Sequence, residues 1–349
     1  MRIIACAAPY GKEGLGQHLA QVVEEARGQG ILANYYCTAV KPDDAAGQAV
    51  STRMAAWLAQ YTVLRLSPGW QGYLVRATFD RNVAWRLTPA ESFQGFSGQA
   101  FNSLSRARQL GYKTLLLESG SVHVNQVFRQ QEKAYRQFGL ERGWLNEAQR
   151  RKTLSEYDLA DTVVVTSQLS RETFLEEGIA PDKLQLRKLQ VDKRFTPPVP
   201  RTDDGIFRIV YVGGLTVMKG IPILLEAFAR LKRQDAQLTL VGGWGSRPMR
   251  QYLQGWLRRD PRIRIVPGDP LPHLQSADVY VHPSFTDAFG YAPMEALACG
   301  VPTIVTEDTG MKEYVREGIN GYVVPTGSWE AILERLELLA KSGKSLTMS

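Results

Sequence analysis

The sequence predicts an α/β protein built as two doubly wound, mostly parallel halves. Three observations carry that prediction. Short apolar runs alternate with helix-length polar stretches, the pattern of strands covered by helices. A proline-rich and then acidic stretch, 197–205, interrupts the chain, and the same alternation restarts beyond it. Each half opens with a short strand and a glycine-bearing loop.

The first half begins with a strand near 2–7, a loop from Gly11 to Gly16 and a helix over 17–26. Further apolar runs fall at 30–34, 62–66, 82–87, 113–117 and 161–166. Helical stretches over 46–59, 100–110 and 124–138 separate several of them. The break at 197–205 predicts one domain over 1–198 and a second over 206–340. In the second half 207–212 reads as a strand ending at Gly213-Gly214. Residues 222–232 form an amphipathic helix, with Ile223, Leu224, Ala227, Phe228 and Leu231 repeating at three and four. Strands follow at 238–241, 263–266, 278–282 and 303–305, then a helix over 329–339. The polar tail 341–349 is expected to fray.

Composition sets the bounds. Apolar residues make up 44% and charged residues 22%, which excludes a disordered or collagenous chain. No run approaches the 18 or so apolar residues of a spanning helix. Cys6, Cys37 and Cys299 lie in or beside apolar stretches and form no CxxC, so they read as small core residues in a reducing, cytoplasmic setting. The net charge of +7 favours an anionic partner such as a nucleotide or a membrane face. No zinc finger, RNA-binding aromatic motif or clear helix-turn-helix supports nucleic acid. The GxGxxG fingerprint of nicotinamide enzymes is missing too.

Two segments carry chemistry. Gly213-Gly214-Leu215-Thr216-Val217-Met218-Lys219-Gly220 follows a strand and precedes a helix. Its glycines let backbone approach an anion and Lys219 adds a charge, although a plain turn with a solvated lysine has the same sequence. The second segment runs from Ser284 to Pro302, after the apolar strand residues Val279 to Val281. Asp287 precedes a helix that starts near 291–295, and Glu295 lies inside it. An ionised carboxylate accepts two hydrogen bonds from vicinal sugar hydroxyls, and backbone N–H groups at Phe289 and Gly290 suit a phosphate. The bland alternative is an acidic helix start. No paired-carboxylate metal motif stands out, and His282 has no evident ligand partner.

With Asp287, Phe289-Gly290 and Glu295 in this spacing, the segment resembles the donor-site signature of GT-B retaining glycosyltransferases of the family 4, group 1 type. The resemblance runs over almost the whole chain. The 213–220 loop resembles the family's diphosphate loop, with its lysine at Lys219. Residues 157–167 resemble the last strand of the N-terminal domain, and 183–197, with Val191-Asp192, the approach to the linker. Gly310-Met311-Lys312-Glu313 and Gly318-Ile319-Asn320-Gly321 resemble the closing turns.

This resemblance implies a GT-B fold, two Rossmann-like α/β domains facing across a central cleft. It implies transfer of a hexose from a nucleotide-diphosphate sugar to an acceptor hydroxyl with retention, in cell-envelope or other glycan and glycolipid synthesis. Glu295 would bind the ribose, Asp287 the donor sugar, and Phe289 and Gly290 the sugar and phosphate. Gly213, Gly214 and Lys219 would hold the leaving diphosphate. Gly14 would admit the N-terminal loop to the diphosphate, and His123 would stand near the reacting sugar. His18 reads equally as a site residue and as a satisfied helix histidine. No cofactor or metal is expected beyond the donor substrate.

The implied acceptor is a saccharide or lipid-linked sugar on the N-terminal domain. There Arg53, Arg76, Arg81, Arg86, Arg106 and Arg108 are interleaved with Trp57, Tyr61, Trp70, Tyr73 and Trp85. That mixture fits peripheral contact with an anionic membrane on its inner face, and equally a solvated basic surface. Four departures matter: Glu13 stands at a usual glycine position, Gln190 stands where the family often has glycine before Val191-Asp192, and two more fall in the donor site. Gly214 replaces the arginine usual in the diphosphate loop, and Asp287 replaces a glutamate. Arg247 is one candidate for the lost charge. These departures motivate the alternative of a nucleotide-sugar-binding GT-B protein with weak or lost catalysis.

Overall fold

The computed structural model describes residues 1–62, 64, 67–141, 143–198 and 204–341, with Glu13 described only in its backbone. Part of the 62–66 run, the centre of the predicted linker at 199–203 and the tail from 342 on lie outside the described residues. The chain divides into two compact units, one of residues 1–128 and 142–190, the other of 129–141 and 191–349.

The first unit holds a seven-stranded sheet. Its strands are β1 (Arg2–Ala5), β2 (Leu32–Cys37), β3 (Gly47–Ala49), β4 (Ser92–Phe96), β5 (Thr114–Ser119), β6 (Thr162–Val165) and β7 (Leu184–Leu186). All pairs are parallel, in the order β3-β2-β1-β4-β5-β6-β7. Helices α1 (Glu13–Gly28), α2 (Arg53–Tyr61), α3 (Pro68–Arg86), α4 (Phe101–Gln109), α5 (Val124–Gln137), α6 (Glu147–Leu159) and α7 (Gln168–Glu176) connect them. From residue 129 on, α5 groups with the second unit, where Ala134 is part of the core.

Two predicted segments are corrected, and one strand is added. The apolar run at 82–87 is no strand; it falls in the last turns of α3 and just beyond. Its Val83 and Ala84 are buried, and periodicity over so few residues cannot separate a strand from a buried helix turn. The stretch 46–59 is only partly helical, since its start forms β3. A strand that the sequence reading missed, β4, follows at 92–96, where the sequence Ser-Phe-Gln-Gly-Phe hides it. Gln94 stays in the core because its amide bonds Glu118 and accepts from Arg2, and a Cβ on Gly95 would lie 2.6 Å from that of Ala100.

The second unit holds six parallel strands: β8 (Phe207–Val212), β9 (Ala236–Val241), β10 (Ile263–Val266), β11 (Val279–His282), β12 (Thr303–Thr306) and β13 (Gly321–Val324). Their order is β10-β9-β8-β11-β12-β13. The helices are α8 (Ile221–Arg230), α9 (Arg247–Arg259), α10 (Leu271–Gln275), α11 (Tyr291–Ala298) and α12 (Trp329–Lys341). Ile221, Ile223, Leu224, Leu225 and Phe228 of α8 are buried in one core cluster with residues of β8, β9 and α12, each worth roughly 1.5–3 kcal/mol of burial.

In both units the strand order reverses beside the first strand, between β1 and β4 and between β8 and β11. In open parallel sheets that reversal opens a crevice at the carboxyl ends of the two strands. In the second unit the two loops flanking it are the Gly213 loop and the Asp287 loop.

Candidate functional site

The Gly213 loop leaves β8 and is shaped by close backbone approaches. Gly220 has φ +70, and a Cβ there would lie 1.8 Å from the carbonyl oxygen of Pro283. It is therefore the point at which the Lys219 loop lies directly on the loop after β11. Gly242 serves the same purpose on the other side, where a Cβ would lie 1.9 Å from the Gly213 oxygen. Tyr211, wholly buried on β8, donates its hydroxyl to the Gly214 oxygen at 2.9 Å. Glu141 spans two loops by accepting from the Val217 N–H at 2.7 Å and the Ser246 N–H at 3.3 Å.

The loop after β11 is held from both sides. The Phe285 N–H donates to Met218 at 2.9 Å, the Gly310 N–H to the Asp287 carbonyl at 2.9 Å, and Thr306 Oγ1 to the Ser284 carbonyl at 2.6 Å. Asp287 is thereby fixed with its carboxylate 2.6 Å from Lys219 Nζ and 3.2 Å from His282 Nε2. Two groups 68 positions apart in sequence thus form one ion pair.

Burial alone would push the Asp287 carboxyl up, but Lys219 and His282 outweigh it and hold the group well below the usual carboxylate range. For His282 burial dominates and lowers its pKa, so the ring is neutral at pH 7. An ionised carboxylate can only accept, so Nε2 carries the proton toward Asp287. Nδ1 then faces the Tyr280 hydroxyl at 3.3 Å, whose single proton is shared between Nδ1 and the Val212 carbonyl oxygen, also at 3.3 Å. Lys219 and His282 both contact Oδ2 of Asp287, which leaves Oδ1 able to accept from a bound hydroxyl.

Gly290 is the N-cap of α11, with φ +80. Phe289 is buried, its ring edge-on to Tyr291 and Tyr314. Glu295 is buried one turn into the helix. Lys219, Asp287, Phe289, Gly290, Gly213 and Gly214 thus sit on the two loops at the strand-order reversal, with Glu295 on the helix that follows. This ensemble offers a fixed anion, a cation and a helix N-terminus: acceptors for hydroxyls beside donors for a phosphate.

The first-unit residues lie apart from this arrangement in sequence and sheet. His123 is buried, its ring 5.0 Å from those of Tyr157 and Phe174, and its Nδ1 accepts from the Asn125 N–H at 3.3 Å. His18 lies 3.0 Å from Glu118, which Gln94 and Arg187 also hold, so it is a satisfied buried histidine. Gly14 is exposed in the first turn of α1. Gly16, two residues on, is where the loop packs on its own backbone: a Cβ there would lie 2.1 Å from the Pro9 oxygen.

Sequence reasoning missed Tyr211, Tyr280, His282 and Glu141 as supports of the site. The Val-Tyr-Val-His alternation of β11, ending at the loop, was the available signal for Tyr280 and His282. Arg247 begins α9 and lines a surface hollow of about 480 Å³ with Trp244, Arg250 and Gln254. The described residues contain no cluster of three metal-ligating side chains.

Comparison with known proteins follows the same division. Residues 192–348 match the family described as Glycosyl transferases group 1. The capsular polysaccharide biosynthesis glycosyltransferase CapM of Staphylococcus aureus is 28% identical over 190 residues, covering 50% of this chain and 48% of that protein. The chain spans about half the length of the curated relatives it matches. The sucrose-phosphate synthase of Thermosynechococcus elongatus is 18% identical, with a TM-score of 0.72 over 99% of this chain and 91% of that one. HepE of Anabaena, solved in complex with UDP, is 17% identical, with a TM-score of 0.68 over 100% and 92%. At these identities the likeness shows the fold, which is the GT-B fold that the sequence implied.

Proposed function

We propose that the chain is a retaining glycosyltransferase that moves a hexose from a nucleotide-diphosphate sugar to an acceptor hydroxyl in cell-envelope or other glycan and glycolipid synthesis. The observation that carries this reading is the Lys219–Asp287 pair at 2.6 Å, set beside the N-terminus of α11 inside the segment that matches Glycosyl transferases group 1.

In this reading Glu295 accepts from the ribose hydroxyls and Asp287 Oδ1 from a donor-sugar hydroxyl. Departure of the nucleoside diphosphate leaves an oxocarbenium-like sugar, and stabilising the phosphate charge is the main task of the site. Lys219 meets that charge, with backbone N–H groups at Phe289 and Gly290 and the open backbone of Gly213 and Gly214. Among the described residues of the two loops no side chain is assigned the role of nucleophile in this reading. The acceptor therefore attacks on the face the phosphate leaves, and the phosphate takes its proton. Gly14, His123 and the acceptor belong to the first unit.

A second element of the proposal is peripheral contact with an anionic membrane. On α2, Met54, Trp57, Leu58 and Tyr61 are exposed at spacings of three and one, a single apolar stripe following Arg53, while Ala55 and Ala59 face inward. Among the described residues no helix is long and apolar enough to cross a membrane.

The test is direct. The protein is incubated with UDP-, GDP- and ADP-hexoses and simple saccharide acceptors, and NMR reads nucleoside diphosphate release and the anomeric configuration of the product. Retained configuration with one donor is expected. Inversion would overturn the proposed mechanism, and donor binding without turnover would favour the weak-catalysis alternative.

A further inference from the structure

Arg76 was grouped by sequence with the surface arginines, but it sits half-buried on α3 with its guanidinium 5.5 Å from the Trp144 ring centre. Among the described residues it has neither an ion pair nor a hydrogen bond. Burial lowers its pKa, and Glu156 is the one opposite charge acting on it. Glu156 is itself occupied, accepting from the N–H groups of Gly98, Ala100 and Phe101 and lying 3.3 Å from Lys152.

Two amides at the start of α6 also lack an acceptor, and one of them, Gln149, stands with Arg76 at the same point beside Gly72. At the start of α6, Asn146 and Gln149 form a capping box. The Gln149 N–H donates to Asn146 Oδ1 at 2.9 Å, and the Asn146 N–H donates to Gln149 Oε1 at 3.0 Å. Both amide oxygens are used, so their orientation is set by chemistry and both NH₂ groups point outward from the box. Asn146 Nδ2 and Gln149 Nε2 are buried and have no acceptor. Gln149 is only 5% exposed.

The helix facing these donors carries glycine at the two positions nearest them. A Cβ on Gly72 of α3 would stand 3.6 Å from Arg76 Nη2 and 3.7 Å from Gln149 Nε2. A Cβ on Gly69 would stand 3.2 Å from Asn146 Nδ2. Glycine inside a 19-residue helix is unfavourable relative to alanine, and at Gly72 it leaves no side chain between Arg76 Nη2 and Gln149 Nε2.

We propose that Arg76, Asn146 Nδ2 and Gln149 Nε2 form a binding site for an oxyanion, a phosphate or carboxylate group carried by the acceptor sugar. A cation with two fixed donors and no acceptor complements a group that only accepts, and Trp144 beside them offers a face to a sugar ring. The site lies wholly in the first unit. Its assignment to the acceptor rests on the transferase reading; its chemistry does not.

The test is calorimetric titration of the full chain with glucose 6-phosphate, glucuronate, glucose and inorganic phosphate. Tighter binding of a charged sugar than of glucose is expected. Arg76→Met should weaken it at least about tenfold. Gly72→Ala is the second variant: at 3.6 and 3.7 Å its methyl makes ordinary contacts, so the fold is kept while the shared space is filled. It should abolish the preference for charged sugars. Inorganic phosphate binding as tightly as glucose 6-phosphate would support the oxyanion site and assign it to a free anion instead. Equal affinities in wild type and Gly72→Ala, or no binding of any charged probe at millimolar concentration, would overturn the site and leave its donors to buried water. UDP, GDP and ADP titrated into the same samples separate the cases: nucleotide binding without oxyanion binding sinks this site alone, and its absence counts against the donor site.

Discussion

Lys219→Met keeps the aliphatic stem and deletes the ammonium 2.6 Å from Asp287 Oδ2, leaving that carboxylate only His282 at 3.2 Å. Breaking a fully buried pair costs roughly 3–5 kcal/mol because it strands a charge. Lys219 is about a third exposed and His282 remains, so solvent screening reduces the expected cost to about 2 kcal/mol at pH 7. The pH dependence has a definite sign. Asp287 has a depressed pKa in the folded chain, so its contribution is present above the unfolded carboxyl value near 3.9 and is lost as pH falls below it. Removing Lys219 raises the Asp287 pKa, and the cost of the substitution therefore shrinks as acid neutralises the stranded carboxylate. Urea unfolding followed by tryptophan fluorescence at pH 7 and pH 4 reads this difference. Asp287→Asn in the Lys219→Met background should recover about 1 kcal/mol or more, a coupling of the kind double-mutant cycles isolate. A cost equal at both pH values, with no coupling to Asp287, would refute the account of the pair.

Other substitutions probe the remaining parts. Glu295→Gln should weaken nucleotide-sugar binding at least about tenfold, because an amide accepts less strongly than a carboxylate; calorimetry checks it, and unchanged affinity would remove Glu295 from the ribose. His123→Ala should impair transfer while leaving free nucleotide binding nearly intact, and its loss of packing with Tyr157 and Phe174 should cost about 2 kcal/mol in urea unfolding; normal transfer would place His123 outside the site. Gly220→Ala should destabilise by about 3 kcal/mol or more, since its Cβ would meet the Pro283 oxygen at 1.8 Å, whereas Gly28→Ala, in open space, should be nearly neutral. Trp57→Ser with Tyr61→Ser should lower cosedimentation with anionic lipid vesicles while leaving nucleotide binding unchanged.

The second unit was the more legible half. Its strands are short runs rich in apolar residues, as two-sided burial demands, and 207–212 and 263–266 were read with the bounds the structure has. The Asp287–Glu295 segment was legible because strand, loop and helix start are contiguous in sequence. The pairing of Lys219 with Asp287 was not, because a contact between loops 68 residues apart is set by strand order. In the first unit β4 escaped notice because buried hydrogen bonds replace its apolar side chains. Arg76 was misplaced for a related reason. Composition reports an arginine, and only the packing of α3 on the start of α6 shows that its charge is half-buried and unanswered.

The most direct test of the central claim is calorimetric titration of the wild type and Glu295→Gln with UDP, GDP and ADP. The account predicts selective binding of one nucleotide by the wild type, weakened at least about tenfold in the variant. A folded protein that binds none of the three, or binds one equally in both forms, would contradict a nucleotide-sugar site on the loops after β8 and β11.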